Sequence, residues 1–266
     1  MRKPRIHYLP QYLLSGVHPI TINVIGCGGT GSHLLTQLAR IDQTLRALEK
    51  PGLTITAIDP DHVTEHNMGR QLFTHSDLNL NKSEVLITRI NRAFGLSWRA
   101  IPYAYNETLV KSYNDIAANL TISCVDTSAT RYQISRIFTD HLRKRGHHPF
   151  KPYYWMDLGN SQHTGQCILG TVSNINQPKS RTFKPLPKLP TITDKYPNMS
   201  SSDKDEIQGP SCSIAQALTK QDLFINSLLA QYAGNLLWNL FNKGFTCQSG
   251  LFINLSNYKS SPIPLP

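Results

Sequence analysis

The sequence predicts an α/β fold built on a doubly wound, mostly parallel sheet, and three observations carry that prediction. Short apolar, β-branched runs alternate with stretches of helical apolar spacing through the first two-thirds of the chain. A glycine-rich turn, Gly26-Cys27-Gly28-Gly29-Thr30-Gly31, stands where the first such run meets the first such helix. The 266 residues suffice for a sizeable core without disulfide or metal support. Strands alternating with helices imply parallel pairing through right-handed crossovers.

Taken in order, Ile22-Asn23-Val24-Ile25 is a buried-strand run ending at Gly26. Leu34, Leu35, Leu38, Ile41, Leu45 and Leu48 then recur at helical spacing until Pro51-Gly52 stops them. Leu53 to Ile58 reads as the next strand. Lys82 to Phe94 is amphipathic, with Val85, Leu86, Ile90 and Phe94 on one side and Gly95 as its stop. Trp98 to Tyr103 reads as a strand and Leu109 to Ala118 as a helix. Leu120 to Val125 is a third central strand, followed by a helix from about Ala129 to Lys144. Tyr153 to Leu158 and Gln166 to Val172 are strands separated by a glycine-containing turn. From Ser173 to Pro210 the chain is dense in proline and polar residues and has no sustained apolar period, the mark of a functional or disordered loop. Ser213 to Phe241 resumes as helix and Leu251 to Leu255 as strand, and the proline-rich tail is expected to be mobile.

Composition narrows the function. Lys and Arg number 27 against 17 Asp and Glu, a net charge of +10, with 39% hydrophobic and 17% charged residues, the profile of a globular protein. The basic runs Arg143-Lys144-Arg145 and Arg181, Lys184, Lys188 come with no zinc finger, RNP-like motif or aromatic interleaving, which argues against a nucleic-acid partner. The charge speaks instead for steering toward some anionic partner. No apolar run approaches the ~18 residues of a membrane span. The apolar stretch after Arg2, Lys3 and Arg5 is short and broken by Pro10 and Gln11, so no signal peptide is expected. Cysteines stand at 27, 124, 167, 212 and 247 with no Cys-x-x-Cys pair, which argues for free thiols, a cytoplasmic setting and no structural zinc.

The glycine turn follows a strand and opens a helix, the setting a phosphate-binding loop requires. Glycines permit a tight turn and close backbone approach, while the helix N-terminus offers free N–H donors and its positive dipole end. A ligand-free strand-to-helix turn is the plainer reading, and the glycines alone do not choose between NAD and ATP. Asp59 ends the second strand, where an acid can accept hydrogen bonds from ribose hydroxyls; Asp61 would serve as a cap or support beside it. Asn67-Met68-Gly69-Arg70-Gln71 occupies the following turn, and Lys82 opens the next helix. An Arg and a Lys near a phosphate loop suit a triphosphate, whose departing pyrophosphate accumulates negative charge; a dinucleotide needs neither. As a plain surface residue Lys82 would be strained, because the dipole disfavours a cation at a helix N-terminus. Asp126 closes the third strand at the carboxyl edge, where it can hold Mg²⁺ against phosphates or simply cap the helix beyond, as can Thr127 and Ser128.

Together, Gly26 to Gly31, Asp59, Asn67-x-x-Arg70-Gln71, Lys82, and Asp126 with Arg131 five later resemble the adenylation core of the ThiF/MoeB superfamily, the activating enzymes of ubiquitin-like and sulfur-carrier proteins. The resemblance runs in order from about Ile22 to Leu240. It is closest to the ThiF-like proteins of PRTRC-type gene systems, which are similar also at Pro210-Ser211-Cys212-Ser213. It implies ATP- and Mg²⁺-dependent adenylation of the C-terminal glycine carboxylate of a small ubiquitin-like partner, with release of pyrophosphate. Gly26, Gly28, Gly29, Thr30 and Gly31 would hold the phosphates and Asp59 the ribose. Asn67, Arg70 and Lys82 would contact the triphosphate and the developing charge, and Asp126 would place Mg²⁺. The implied organisation is one adenylation domain over residues 1–258, with a Rossmann-like ATP-binding half at about 20–150. A long crossover loop at about 173–211 would arch over the partner's tail, a helix and strand would fill about 212–256, and 259–266 would be a mobile tail.

Members are commonly homodimers, some lending an N-terminal arginine to the other subunit; Arg5 is the candidate here, although its flanking residues do not match. The paired zinc cysteines of many relatives are absent. Cys212 stands where a helix start lowers a thiol's pKa and favours attack on an acyl-adenylate, yet Ser211-Cys212-Ser213 is equally an ordinary capped helix start. Two other readings stand beside adenylation. An NAD(P)-dependent oxidoreductase accounts for the glycine turn but leaves Arg70, Lys82 and Asp126 unexplained. A non-catalytic ThiF-like binding module would have no need of every adenylation residue.

Overall fold

The computed structural model describes residues 3–113, 116–142, 151–199 and 221–266. The chain enters through strand β1 (Arg5–Tyr8) and a single helical turn, α1 (Gln11–Leu14). Strand β2 (Ile20–Ile25) leads to α2 (Gly29–Ala47), and β3 (Leu53–Ile58) to α3 (Lys82–Phe94). Strand β4 (Arg99–Ile101), helix α4 (Glu107–Ser112), strand β5 (Leu120–Ser123) and helix α5 (Ser128–Ile137) follow. Strands β6 (Tyr154–Asn160) and β7 (Thr164–Thr171) form a hairpin; β8 (Lys184–Pro185) and α6 (Ile192–Lys195) are short. Helix α7 (Ile225–Lys243), β9 (Phe245–Thr246), β10 (Gln248–Asn254) and β11 (Lys259–Pro264) complete the described chain.

Eight strands form one sheet in the order β4-β3-β2-β5-β6-β7-β10-β11. The first five are parallel and the last three antiparallel. The chain builds β3 and β4 to one side of β2 and then crosses to place β5 and β6 on the other. The crevice between the ends of β2 and β5 is therefore a topological switch point, where open α/β sheets bind ligands. Apolar residues cover both faces, as buried parallel strands demand. One face packs Val24, Ile55 and Leu158 against Leu34 and Leu38 of α2 and Leu229, Ala233 and Leu237 of α7. The other packs Ile25, Ile58 and Ile168 against Ile134 of α5, Trp155 and Ile192. No helix among the described residues is long and apolar enough to cross a membrane.

Local chemistry fixes the helix ends. The Asn81 side chain accepts from the Ser83 and Glu84 N–H groups to start α3, and Gly95, left-handed at φ 66°, ends it. Asp42 is fully buried near the end of α2; one oxygen accepts from Arg46 Nε at 2.8 Å and the other from the Leu53 N–H at 2.6 Å, tying helix to strand. The helix expected over 109–118 is shorter and earlier, because Asn106 caps it at the Leu109 N–H.

Three segments depart from expectation. Strand β1, which no sequence period announces, pairs parallel with β8 and antiparallel with β9 in a small second sheet. Between residues 173 and 199, where a functional or disordered loop is expected, the chain is docked: Ile175, Leu189 and Ile192 are buried, the Thr171 N–H donates to the Leu189 carbonyl, and the Leu189 N–H donates to Thr171 Oγ1. Scattered apolar residues with no period thus still find seats. The tail expected to be mobile is strand β11, with Ile263 and Leu265 buried. Its prolines are compatible with pairing because β11 is an edge strand, where a missing N–H is tolerated. The helix expected from Ser213 is described from Ile225, and Cys212 with the rest of 200–220 lies outside the described residues.

Candidate functional site

A cleft of about 1450 Å³ opens at the carboxyl ends of β2, β3, β5 and β6. Typical small-molecule pockets hold about 300–1,000 Å³, so this one has room for a nucleotide and a second reactant.

The glycine turn forms its floor, and three of its glycines are required by the chain itself. A Cβ on Gly26, at φ 90°, would lie 2.5 Å from the Cys124 carbonyl oxygen, and one on Gly31 only 1.9 Å from the Gly26 carbonyl oxygen. A Cβ on Gly29 would strike the Asn226 side chain at 2.6 Å. Gly28 differs: a Cβ there would meet only the Gln71 amide, at 3.9 Å, on the cleft side. The folded chain does not crowd this position, whereas a phosphate pressed against the backbone would. No side chain caps α2 and no acid stands in its first turn, so its N–H donors remain available to an anion. Thr30 Oγ1 donates to Asn226 Oδ1 at 3.0 Å, tying the starts of α2 and α7 together. Gly31 does not line the cleft; its role is the close contact beneath Gly26.

Asp59 lines the cleft and is almost wholly buried. One of its oxygens accepts from the Cys27 N–H and the other from the Asp61 N–H at 2.8 Å. Burial pushes its carboxyl above the usual range, against the pull of these two donors. Each oxygen retains a lone pair for a further donor. Lys82 lies in the wall and pairs with Asp61 at 2.9 Å, which neutralises the cation that the α3 dipole disfavours.

Arg70 and Gln71 project into the cleft from the turn between β3 and α3. Arg70 Nη1 donates to Gln221 Oε1. Its Nε is buried without a hydrogen-bond partner among the described residues, as is Gln71 Oε1. Burial lowers the guanidinium pKa and the nearby Asp126 carboxylate opposes that shift. Asn67, expected to contact the triphosphate, does not line the cleft. Its Oδ1 accepts from the Thr64 N–H and hydroxyl, both at 2.9 Å, and its carbonyl accepts from the Gln71 N–H at 3.0 Å. Asn67 therefore shapes the turn that presents Arg70 and Gln71 and does not itself reach in.

Asp126 is exposed on the cleft wall just beyond β5. It does not cap α5: Thr127 is the cap, accepting from the Thr130 N–H. Asp126 is thereby free of the role that most plainly competes with ligand binding. Among the described residues no three His, Cys, Asp or Glu side chains are grouped to hold a metal. A magnesium ion here would rest on Asp126 and phosphate oxygens, which is how Mg²⁺ is commonly held.

Sequence reasoning missed Asp157. It is 1% exposed on β6 and accepts from Arg131 Nε at 3.0 Å and from Ser123 Oγ at 2.6 Å, while Trp155 Nε1 donates to Ser123 at 2.8 Å. Burial raises the Asp157 carboxyl pKa and Arg131 pulls it back. The available signal was a lone acid inside an otherwise apolar strand, which needs a partner. The pair positions Arg131 where the parallel and antiparallel halves of the cleft meet, over Gly159, whose Cβ would lie 2.9 Å from Arg131 Nη2. Asp157→Ala is expected to cost about 3–5 kcal/mol by leaving Arg131 buried and unpaired. Urea unfolding measures it, and a loss below about 1 kcal/mol would contradict the buried pair.

Burial raises the thiol pKa values of Cys27, Cys124 and Cys167, so none of them is an activated nucleophile. Arg5, the candidate for a borrowed arginine, donates to the Leu265 carbonyl of its own chain at 3.1 Å.

The ThiF family model matches residues 14–243. The fold is similar to that of E. coli MccB, with a TM-score of 0.61 at 15% identity over 96% of this chain and 65% of that one. The crystal structures of MccB with ATP and of MccB with AMPCPP and MccA match with TM-scores of 0.60 at 14% identity, over 96% of this chain and 66% of theirs. PaaA matches with a TM-score of 0.59 at 13% identity, over 96% of this chain and 67% of its own. The chain thus spans about two-thirds of the length of these proteins. A search of curated proteins gives no match.

Proposed function

The chain belongs to the ThiF family, and on that premise we propose that it is an adenylating enzyme: it binds ATP with Mg²⁺ and transfers AMP to the C-terminal carboxylate of a peptide or small protein. The observation that carries this reading is the convergence of an uncapped helix N-terminus and several polar side chains on one cleft. The start of α2, with no side-chain cap, and the uncrowded Gly28 backbone line it together with Arg70, Gln71 and Lys82. The MccB complexes with ATP and with AMPCPP and MccA support a nucleotide and a second ligand on this fold.

In this mechanism a carboxylate oxygen of the substrate attacks the α-phosphorus. The bond to the bridging oxygen of the β-phosphate breaks, and pyrophosphate leaves with that electron pair. Gly28, Gly29 and Thr30, at the start of α2, cradle the phosphates by backbone donors, while the Gly26 N–H is committed to the Ile58 carbonyl and Gly26 shapes the turn; Asp59 accepts from the ribose hydroxyls. Arg70 and Lys82 face the charge that grows on the departing pyrophosphate. Asp126 would hold the Mg²⁺, which neutralises phosphate charge when bound. Arg131, fixed by Asp157, marks where the carboxylate enters.

The finer reading makes the substrate a small ubiquitin-like protein ending in glycine and the enzyme a cytoplasmic homodimer of the PRTRC-associated type. Cys212 would take up the acyl group; Cys212→Ala should then retain pyrophosphate exchange and lose any covalent adduct. The direct test of nucleotide choice is a thermal shift with ATP, ADP or NAD, each with and without Mg²⁺. A nucleotide at 100 times its dissociation constant adds ~2.7 kcal/mol, enough to move the midpoint by several degrees. A shift with ATP and Mg²⁺ is expected. A shift with NAD alone would replace this reading by an oxidoreductase.

A further inference from the structure

The antiparallel half of the sheet has one face packed and one partly open. On the packed side a Cβ on Gly165 would meet Ile253 at 3.1 Å and Leu229 of α7 at 3.4 Å. On the opposite face the register aligns side chains in rows across the strands. Ile168 and Ile263 both pair with Gly250, and both are buried in the core with Ile192 and Trp155. The next row is Gly159, Gln166, Phe252 and Ser261, and the one beyond it is Thr164, Asn254 and Lys259. Neither of these rows is fully covered by the described residues: Phe252 is 41% exposed, and Thr164, Lys259 and Ser261 are exposed. Both rows line the same cleft as the glycine turn. The first begins at Gly159, under the Arg131 guanidinium.

The chemistry along this face is selective. Gln166, Thr164, Asn254 and Ser261 are neutral, Phe252 offers an apolar step, and Lys259 is its single charge. No carboxylate pairs with Lys259 among the described residues. The chain as a whole carries +10, which favours an acidic partner.

We propose that the open rows on β7, β10 and β11 are the track for the substrate's C-terminal tail, and that Phe252 and Lys259 determine its specificity, selecting an apolar residue and an acidic residue upstream of the reacting carboxylate. The inference rests on the adenylation reading and adds to it the chemistry of the substrate. Strands stand ~4.8 Å apart, so β6 to β11 spans about 14 Å, which an extended tail at ~3.3 Å per residue crosses in about four residues. The acidic side chain over Lys259 therefore belongs about four to seven residues before the C-terminus.

The test uses the full chain and fluorescein-labelled octapeptides with free C-termini, in which one Glu, or one Lys, is moved through a Gly/Ser/Ala background. Anisotropy at low salt is expected to show the best Glu peptide binding about five- to tenfold more tightly than its Lys counterpart. Lys259→Glu should invert that preference, and Phe252→Ser should remove the gain from a neighbouring Leu. Both residues are exposed, so neither variant threatens folding. Equal binding of Glu and Lys peptides, a preference unchanged in Lys259→Glu, or no binding by any acidic peptide overturns the track. Pyrophosphate exchange with the same peptides separates the two ideas. Charge-selective binding without exchange would sink adenylation and uphold the track; exchange without charge preference would do the reverse.

Discussion

Asp126→Ala is expected to reduce ATP–pyrophosphate exchange by about 10³-fold, equivalent to ~4 kcal/mol of transition-state stabilisation, while folding stability changes by no more than about 0.5 kcal/mol. The separation follows from the structure. Asp126 is exposed at the cleft wall, and the α5 cap belongs to its neighbour Thr127, so its removal costs the fold no hydrogen bond at the helix start. Among the described acids that line the cleft, Asp59 has both oxygens serving backbone donors and Asp61 is paired with Lys82, so what the substitution removes is the carboxylate left over for a metal. Binding offers a readout independent of turnover: the extra thermal shift that Mg²⁺ adds to ATP should vanish in Asp126→Ala, while the shift from ATP alone persists. If Asp126→Ala unfolds, or keeps the Mg²⁺-dependent increment, Asp126 is not the metal-holding residue.

Much of this site is legible in the sequence because it follows from local rules. Apolar β-branched runs give β2, β3 and β5, and a glycine turn between strand and helix puts the floor of the cleft at their carboxyl ends. Asp59, Arg70, Lys82 and Asp126 are then placed by chain order alone, since residues just past parallel strands converge on one edge. What stays hidden depends on pairings distant in sequence. Asp157 looks like an error in an apolar strand until Arg131, 26 residues earlier, is seen beside it. Asn67 reads as a ligand residue by motif, yet its amide is committed to a turn by Thr64, a contact that motif spacing does not distinguish from a phosphate contact. Strand β1 is four residues with no alternation and exists only because β8 and β9 flank it. The prolines of β11 suggest a free tail, whereas an edge strand needs donors on one side only.

Arg70→Ala should separate function from stability in the opposite sense to Asp157→Ala. Arg70 is half-buried, its Nε lacks a partner among the described residues, and burial works against its charge. A buried donor left unsatisfied costs about 1–3 kcal/mol, offset here only in part by the bond from Nη1 to Gln221. Truncation is therefore expected to leave the melting temperature unchanged or slightly raised, as happens where a site is built for a ligand at the expense of the fold. Exchange activity should fall about 10²–10³-fold, the usual loss on removing a donor aimed at developing charge. The loss should appear mainly in kcat, with ATP affinity little altered, because charge on the departing pyrophosphate is greatest in the transition state. Arg70→Lys should recover only a fraction, since an ammonium keeps the charge but not the planar fork, which donates to Gln221 and would offer its other donors to a phosphate. A drop in melting temperature comparable to that of Asp157→Ala would show that Arg70 is held for the fold, and the charge-stabilising role would then pass to Lys82.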